Sequence, residues 1–163
     1  MGGWFVGIQS LGFNGSVYLQ NTEIFLDSND IIELLNLKKT DFYLFDSSGS
    51  MAGHWNKLRS YRFHSSRVRV YLSTMKSSCP RGAYLPGSNA SGGTNIWWSF
   101  YNLISKMKPG NSLTIVSDFD TDPQLQTWEW DVLKKRLSDH GIRLSDVHFL
   151  QINGASGNNL KNV

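Results

Sequence analysis

The stretch Asp41-Phe42-Tyr43-Leu44-Phe45-Asp46-Ser47-Ser48-Gly49-Ser50-Met51 joins a short apolar run to an acid and three hydroxyls. A nearly continuous run of β-forming residues is typical of a strand buried on both faces of a parallel sheet. Beyond it, Asp46, Ser48 and Ser50 follow at a spacing of two, and Gly49 allows a tight bend. Open α/β sheets place sites at the carboxyl ends of strands, where three oxygen ligands suit a hard cation such as Mg²⁺. Serine and aspartate are also common turn residues, so a plain strand-to-loop junction is the alternative.

Two later segments offer further oxygen atoms. Ser91-Gly92-Gly93-Thr94-Asn95 precedes a helical pattern, and Leu113-Thr114-Ile115-Val116-Ser117-Asp118 is a second apolar run that ends in an acid. A long loop inside a compact domain is often functional, and the loop over residues 75–93 would deliver Thr94 to the metal. The alternative is that Thr94 only caps the following helix.

This ordered set of an Asp-x-Ser-x-Ser motif, a threonine after a glycine pair and a strand-terminal aspartate resembles the metal-ion-dependent adhesion site of the von Willebrand factor A (VWA) family. The resemblance covers residues 41–152. It implies a VWA-like, Rossmann-like α/β fold with a mostly parallel central sheet and helices on both faces. It also implies one bound Mg²⁺, with Mn²⁺ or Ca²⁺ as other candidates, and the ligands Asp46, Ser48, Ser50, Thr94 and Asp118.

The same resemblance implies a binding function. In the family, the open position of the metal takes a carboxylate from a partner protein, and small intracellular members often work with AAA+ ATPases or in multi-protein complexes. No nucleophile–base pair is evident, so we expect no enzyme and assign no catalytic residue. Phe119 departs from the glycine that often follows the acid, which leaves the path of the next loop open.

Composition predicts one folded domain over residues 1–163, because 40% of the residues are hydrophobic and 13% are aromatic. We find no apolar run long enough to span a membrane and no signal-peptide pattern at the start, so we expect a cytoplasmic protein without membrane partners. Cys79 is the only cysteine, which excludes an internal disulfide.

Charge is distributed unevenly although the net charge is only +3. No acidic residue occurs between Asp46 and Asp118, and that segment carries nine cations: Lys57, Arg59, Arg62, Arg67, Arg69, Lys76, Arg81, Lys106 and Lys108. The cations are either scattered over a solvated surface or form a positive field that attracts an anionic partner. A nucleic-acid-binding protein that uses the basic segment 57–108 is therefore the alternative function.

The pattern of elements predicts the architecture. Strands 42–46, 68–73, 113–118 and 147–152 alternate with helices 95–108 and 123–138, which favours a parallel sheet with strand 42–46 central and strand 113–118 beside it. Before this core, residues 1–40 are predicted to add a β-hairpin, with strands over 4–9 and 16–26, and a short helix over 28–39. After it, we expect residues 153–163 to be a flexible tail.

Helix ends and apolar faces are predicted from local signals. Asp30 and Glu33 are expected to cap the first helix, and Asp122 with Pro123 is expected to begin the helix that ends near Ser138. A weak helix is expected over 55–64. Several large apolar side chains of the two long helices are assigned to the core, namely Trp97, Trp98, Tyr101, Leu125, Trp128, Val132, Leu133 and Leu137.

Overall fold

The computed structural model describes residues 22–64, 68–73, 95–119 and 125–152. Its strands are β1 (Thr22–Leu26), β2 (Phe42–Phe45), β3 (Arg69–Leu72), β4 (Leu113–Ser117) and β5 (Val147–Ile152). Its helices are α1 (Ser28–Leu37), α2 (Ala52–Arg59), α3 (Ile96–Ile104) and α4 (Thr127–Asp139), with short 3₁₀ turns at Gly49–Met51 and Leu144–Asp146.

The strands form one five-stranded sheet in the order β1-β5-β4-β2-β3, and every pairing is parallel. Strand β2 lies between β4 and β3, which confirms that it is an interior strand with 113–118 beside it, although the middle strand of the five is β4. Phe45 is opposite Val116, so the carboxyl ends of β2 and β4 lie at the same edge of the sheet. This α/β architecture is compatible with a Rossmann-like fold.

Helices cover both faces of the sheet. Alternate residues of a strand point to opposite faces, so Phe42 and Leu44 pack with α3 and α4, whereas Tyr43 and Phe45 pack with α1 and α2. The four residues of β2 are all buried, as are the five of β4, because both strands are covered on both sides. The prediction of a doubly covered strand at 42–46 is therefore confirmed.

The sheet begins before the predicted core. Strand β1 pairs in parallel with β5 at the sheet edge, and the buried residues of α1, Ile31, Leu34 and Leu35, belong to the same hydrophobic cluster as β2. Residues 22–37 are thus part of the layered domain and not only an addition to it. The first predicted strand of the hairpin and most of the second lie outside the described residues, as does the predicted tail.

The predicted helix caps were wrong. Asp27 caps α1, because its side chain accepts a hydrogen bond from the Asp30 backbone N–H at 2.8 Å and the Asp30 carboxylate accepts one from the Asp27 N–H at 3.0 Å. The expected pairing of Asp30 with Glu33 is the same motif displaced by one turn of the helix. Helix α4 begins at Thr127, where the Glu129 carboxylate accepts the Gln126 N–H at 2.9 Å, so Asp122 does not cap it. Helix α2 begins and ends earlier than the predicted range of 55–64.

Three of the apolar helix residues assigned to the core are exposed. Trp97 is buried as expected, but Trp98 is 63% exposed, and on α4 Trp128 is 67% exposed and Val132 is 43% exposed. The core position near Trp128 is taken by Trp130, which contacts Trp97 at 5.9 Å between ring centroids. The structure therefore presents two tryptophans to solvent, one near the start of each of two neighbouring helices.

Candidate metal centre

Asp46 immediately follows β2 and is only 4% exposed. Its backbone N–H donates to the Val116 carbonyl at 2.9 Å, which continues the pairing of β2 with β4 by one residue. Its carboxylate accepts two hydrogen bonds, one at Oδ1 from the Ser48 N–H at 2.8 Å and one at Oδ2 from the Ser117 hydroxyl at 2.7 Å. The carboxylate is therefore held in one orientation by the backbone of its own loop and by the neighbouring strand.

Ser48 and Ser50 meet next to this carboxylate. Ser48 has extended backbone, and the chain then enters the 3₁₀ turn Gly49–Met51, where the Met51 N–H donates to the Ser48 carbonyl at 3.0 Å. This turn brings the Ser48 and Ser50 hydroxyl oxygens to 3.1 Å from each other. Ser48 is buried and Ser50 is exposed, and their hydroxyls are hydrogen-bonded to each other in the loop whose Ser48 N–H orients the Asp46 carboxylate.

Ser117 is a residue of this network that was not among the predicted ligands. It is fully buried at the end of β4, donates to Asp46 and accepts the Phe119 N–H at 2.8 Å. The sequence signal is a hydroxyl residue at the end of an apolar run. The parallel register of β2 and β4 then places Ser117 beside Asp46. Without that register, its role could not be distinguished from that of an ordinary strand residue.

Asp118 follows Ser117 and is 1% exposed. Because β2 and β4 are adjacent and parallel, Asp118 lies at the same edge of the sheet as Asp46. The structure thus brings four of the five predicted ligands, Asp46, Ser48, Ser50 and Asp118, to the ends of two neighbouring strands. The fifth, Thr94, lies outside the described residues.

The start of α3 is connected to the same edge through Ser73. The Ser73 N–H donates to the Phe45 carbonyl at 3.0 Å, and its hydroxyl accepts the Ser47 N–H at 3.2 Å. Its own carbonyl accepts the Ser99 hydroxyl of α3 at 3.1 Å.

The cap of α3 is Asn95, whose side chain accepts the N–H groups of the next helical turn, so the interpretation of Thr94 as the cap was wrong.

Phe119 has left-handed backbone, with φ at +54°. Such a conformation favours glycine and costs other residues about 1–2 kcal/mol. Phe119 is nevertheless held there, because its ring is buried against Trp97 at 5.3 Å and Phe149 at 6.2 Å and its N–H bonds to Ser117. Phe119 therefore has a backbone conformation that glycine adopts more easily, at the position where the family often has glycine.

The donor set fits a hard divalent cation in kind. It consists of carboxylate and hydroxyl oxygens, which are the ligands that Mg²⁺ prefers, and each carboxylate oxygen has a second lone pair beyond its hydrogen bond. No group of three or more His, Cys, Asp or Glu side chains gathers within the described part of the chain. A site at this edge would therefore depend on its hydroxyl ligands as well as on its two acids.

Comparisons with protein-family models, with characterised proteins and with solved structures give no significant match. Within the described ranges, no helix is both long and apolar enough to cross a bilayer.

Proposed function

We propose that this chain is a VWA-type module that binds a partner protein through Mg²⁺ held by Asp46, Ser48, Ser50, Thr94 and Asp118. The observation that carries the proposal is the pair of hydrogen-bonded Ser48 and Ser50 hydroxyls, 3.1 Å apart in the loop whose backbone orients the buried Asp46 carboxylate. Neighbouring ligands of an octahedral Mg²⁺ with bond lengths of about 2.1 Å lie about 3.0 Å apart. Ser48 and Ser50 thus have the separation that two such ligands need before any metal arrives.

The chemistry of the donor set favours binding over catalysis. Hydroxyl ligands are neutral, so the ion keeps most of its charge and attracts a further carboxylate from a partner. Both oxygens of Asp46 already accept hydrogen bonds, which favours contact with the metal through an ordered water over direct attack on a substrate. The resemblance to VWA proteins adds the expectation of a cytoplasmic multi-protein complex, with an AAA+ ATPase as one candidate partner.

The exposed tryptophans support a protein partner. Trp98 is in the first turn of α3 and Trp128 is in the first turn of α4, and helices that follow or precede parallel strands in this way begin at the carboxyl edge of the sheet. Exposed tryptophans are rare on ordinary surfaces and are enriched at the centres of protein interfaces. A partner whose acidic residue reaches the metal would have these two rings within its contact surface.

Calorimetric titration with Mg²⁺, Mn²⁺ and Ca²⁺ tests the site. The variant Asp46→Asn keeps the size of the side chain and removes the charge, and it should weaken Mg²⁺ binding at least tenfold. Asp41→Asn is the matched control, because Asp41 is a hydrogen-bonded carboxylate at the opposite end of the same strand. If wild type and Asp46→Asn bind each of the three ions with the same affinity, the metal site is refuted.

Binding of a partner is tested separately. Capture of a protein by the wild-type chain should be lost with EDTA at constant ionic strength and with Asp46→Asn, and reduced by Trp98→Ala with Trp128→Ala. Capture that is insensitive to both EDTA and Asp46→Asn would show that the partner does not use the metal.

Nucleic-acid binding through the whole segment 57–108 is less well supported. Lys57 and Arg59 are on α2, on one face of the sheet, whereas Lys106 and Lys108 follow α3 on the other face. These described cations therefore form no single stripe along which a strand could lie. The salt slope of binding separates the two functions, because phosphate contacts weaken steeply with salt.

A further inference from the structure

The opposite edge of the sheet contains an open cleft of about 480 Å³. It lies at the amino ends of β2 and β3, beside the turn that precedes β4, and its described lining comprises Asp41, Phe42, His64, Val68, Arg69, Lys106, Lys108 and Asn111. Three basic side chains and one carboxylate thus line the cleft. Strands of this length separate the cleft from the candidate metal centre by about 13 Å.

Local contacts fix the backbone that carries the two lysines. Lys106 and Lys108 flank Met107, which is buried in the core and anchors the segment. The Lys108 N–H donates to the Asn111 side chain at 2.8 Å and the Asn111 N–H donates to the Lys108 carbonyl at 3.0 Å, which closes a tight turn. Gly110 makes that turn possible with φ at +85°.

The single carboxylate of the described lining is held in place by hydrogen bonds. Asp41 Oδ2 accepts both the backbone N–H and the hydroxyl of Ser112, at 3.0 and 3.1 Å. His64 adds a polar ring whose pKa is lowered by burial and further by Lys39, with Asp41 acting in the opposite direction. The ring therefore enters the cleft as a neutral group at pH 7, and the net charge of the lining remains positive.

We propose that this cleft binds a phosphate group, with Arg69, Lys106 and Lys108 as its cationic partners. A guanidinium can donate hydrogen bonds to two phosphate oxygens at once, and lysine ammonium groups add point charges that can contact the third oxygen. The volume of about 480 Å³ falls within the range of small-molecule sites, which suits a phosphorylated metabolite or a mononucleotide, and the terminal phosphate of a nucleic acid offers the same chemistry.

Titration with inorganic pyrophosphate in the presence of EDTA tests this site without any metal. Wild type should bind one equivalent saturably, and Lys106→Gln with Lys108→Gln should weaken the affinity at least tenfold. Lys134→Gln with Lys135→Gln is the matched control, because it removes the same charge from α4, away from the described lining of the cleft, and should change the affinity less than twofold. Equal losses in the two pairs, or no saturable binding to wild type at 10 mM pyrophosphate, would overturn the proposal.

Asp41→Asn provides an independent check, because it removes the negative charge from the lining and should tighten pyrophosphate binding at least twofold. Unchanged or weaker binding would place the phosphate elsewhere.

Adenosine monophosphate and a series of single-stranded oligonucleotides then identify the source of the phosphate. Tighter binding of the mononucleotide indicates a small ligand, and affinity that rises with strand length indicates nucleic acid. Because the metal centre plays no part in these measurements, their outcome is independent of the Mg²⁺ titrations.

Discussion

At the carboxyl edge of the sheet, Asp46, Ser48 and Ser117 are buried and hydrogen-bonded to one another, whereas at the amino edge Lys106 and Lys108 flank an open cleft. The first region is a network of acidic and hydroxyl side chains, where we propose that a cation binds. The second region gathers positive charge, where we propose that an anion binds. The same strands support both, so the difference shows how one sheet can separate two opposite electrostatic environments by the length of a strand.

Substitution of Phe119 should have the largest effect on stability. The relative stability of two variants at this position also tests whether its backbone is strained. Phe119→Ala removes a buried ring and should cost about 3–4 kcal/mol of unfolding free energy. Phe119→Gly loses the same ring but relieves the left-handed backbone, so it should be about 1 kcal/mol more stable than the alanine variant. Urea denaturation measures both, and an alanine variant as stable as the glycine variant would show that the backbone is not strained there.

His148 should make the amino edge sensitive to acid. Burial first, and then Lys38, lowers the pKa of His148 to about 4, with Asp146 opposing the shift. Above pH 6.5 the histidine is neutral in both the folded and the unfolded chain, so its contribution is complete. As the pH falls from 6.5 to about 4, the unfolded chain takes up the proton first, and up to about 3 kcal/mol of stability should be lost.

Thermal unfolding at pH 7.5 and pH 5 measures this loss, and His148→Gln should reduce the difference between the two conditions. If the wild type and the glutamine variant lose stability in parallel, the acid sensitivity arises from other groups.

Much of this fold follows from the sequence because the signals are local and repeated. The apolar runs at 42–46 and 113–118 predict buried strands, and their alternation with helices predicts the parallel pairing of these two strands that is observed. Helix faces were predicted less well. Trp97 lies three residues before Phe100 and seven before Ile104, so it shares their buried helix face, whereas Trp98 does not. Helical spacing in the sequence therefore distinguishes the two tryptophans.

The candidate site was predictable where the chain itself fixes the geometry and where the predicted neighbour of β2 places Asp118 at the same edge. Asp46, Ser48 and Ser50 lie within one turn, so their spacing predicts their proximity. Ser117 and Ser73 come from other strands, and their contacts depend on the register between strands, which no local pattern specifies. The basic cleft was similarly hidden, because Arg69 and Lys108 are far apart in sequence and are united only by the order of the strands.

Two hydroxyls of β4 allow the two edges to be compared directly. Ser117→Ala removes the donor to Asp46 and leaves a buried N–H of Phe119 without its acceptor, which should cost about 2 kcal/mol. Thr114→Val removes a buried hydroxyl that bonds Thr40 at 3.0 Å toward the amino edge, and its cost should be about 1–2 kcal/mol.

Only the serine variant should also weaken Mg²⁺ binding, because it releases the Asp46 carboxylate. Chemical denaturation and calorimetry of the two variants measure the two effects. Equal Mg²⁺ affinities for both variants would show that Ser117 supports the fold and not the site.

The smallest effect should come from the lysines of the cleft, and its sign is informative. Removing a side chain that only supports the fold lowers the stability of the protein. Cations gathered beside few acids repel one another, so removing them relieves that repulsion. Lys106→Gln with Lys108→Gln should therefore raise the unfolding free energy by a few tenths of a kcal/mol at low ionic strength. The gain should vanish near 1 M salt, where the screening length is about 3 Å. Denaturation at 20 mM and 1 M NaCl measures it, and Lys134→Gln with Lys135→Gln should show no gain because those lysines pair with Asp131 and Asp139. A loss of stability in the cleft variant at low salt would mean that its lysines are part of the scaffold, and that their arrangement owes nothing to an anionic ligand.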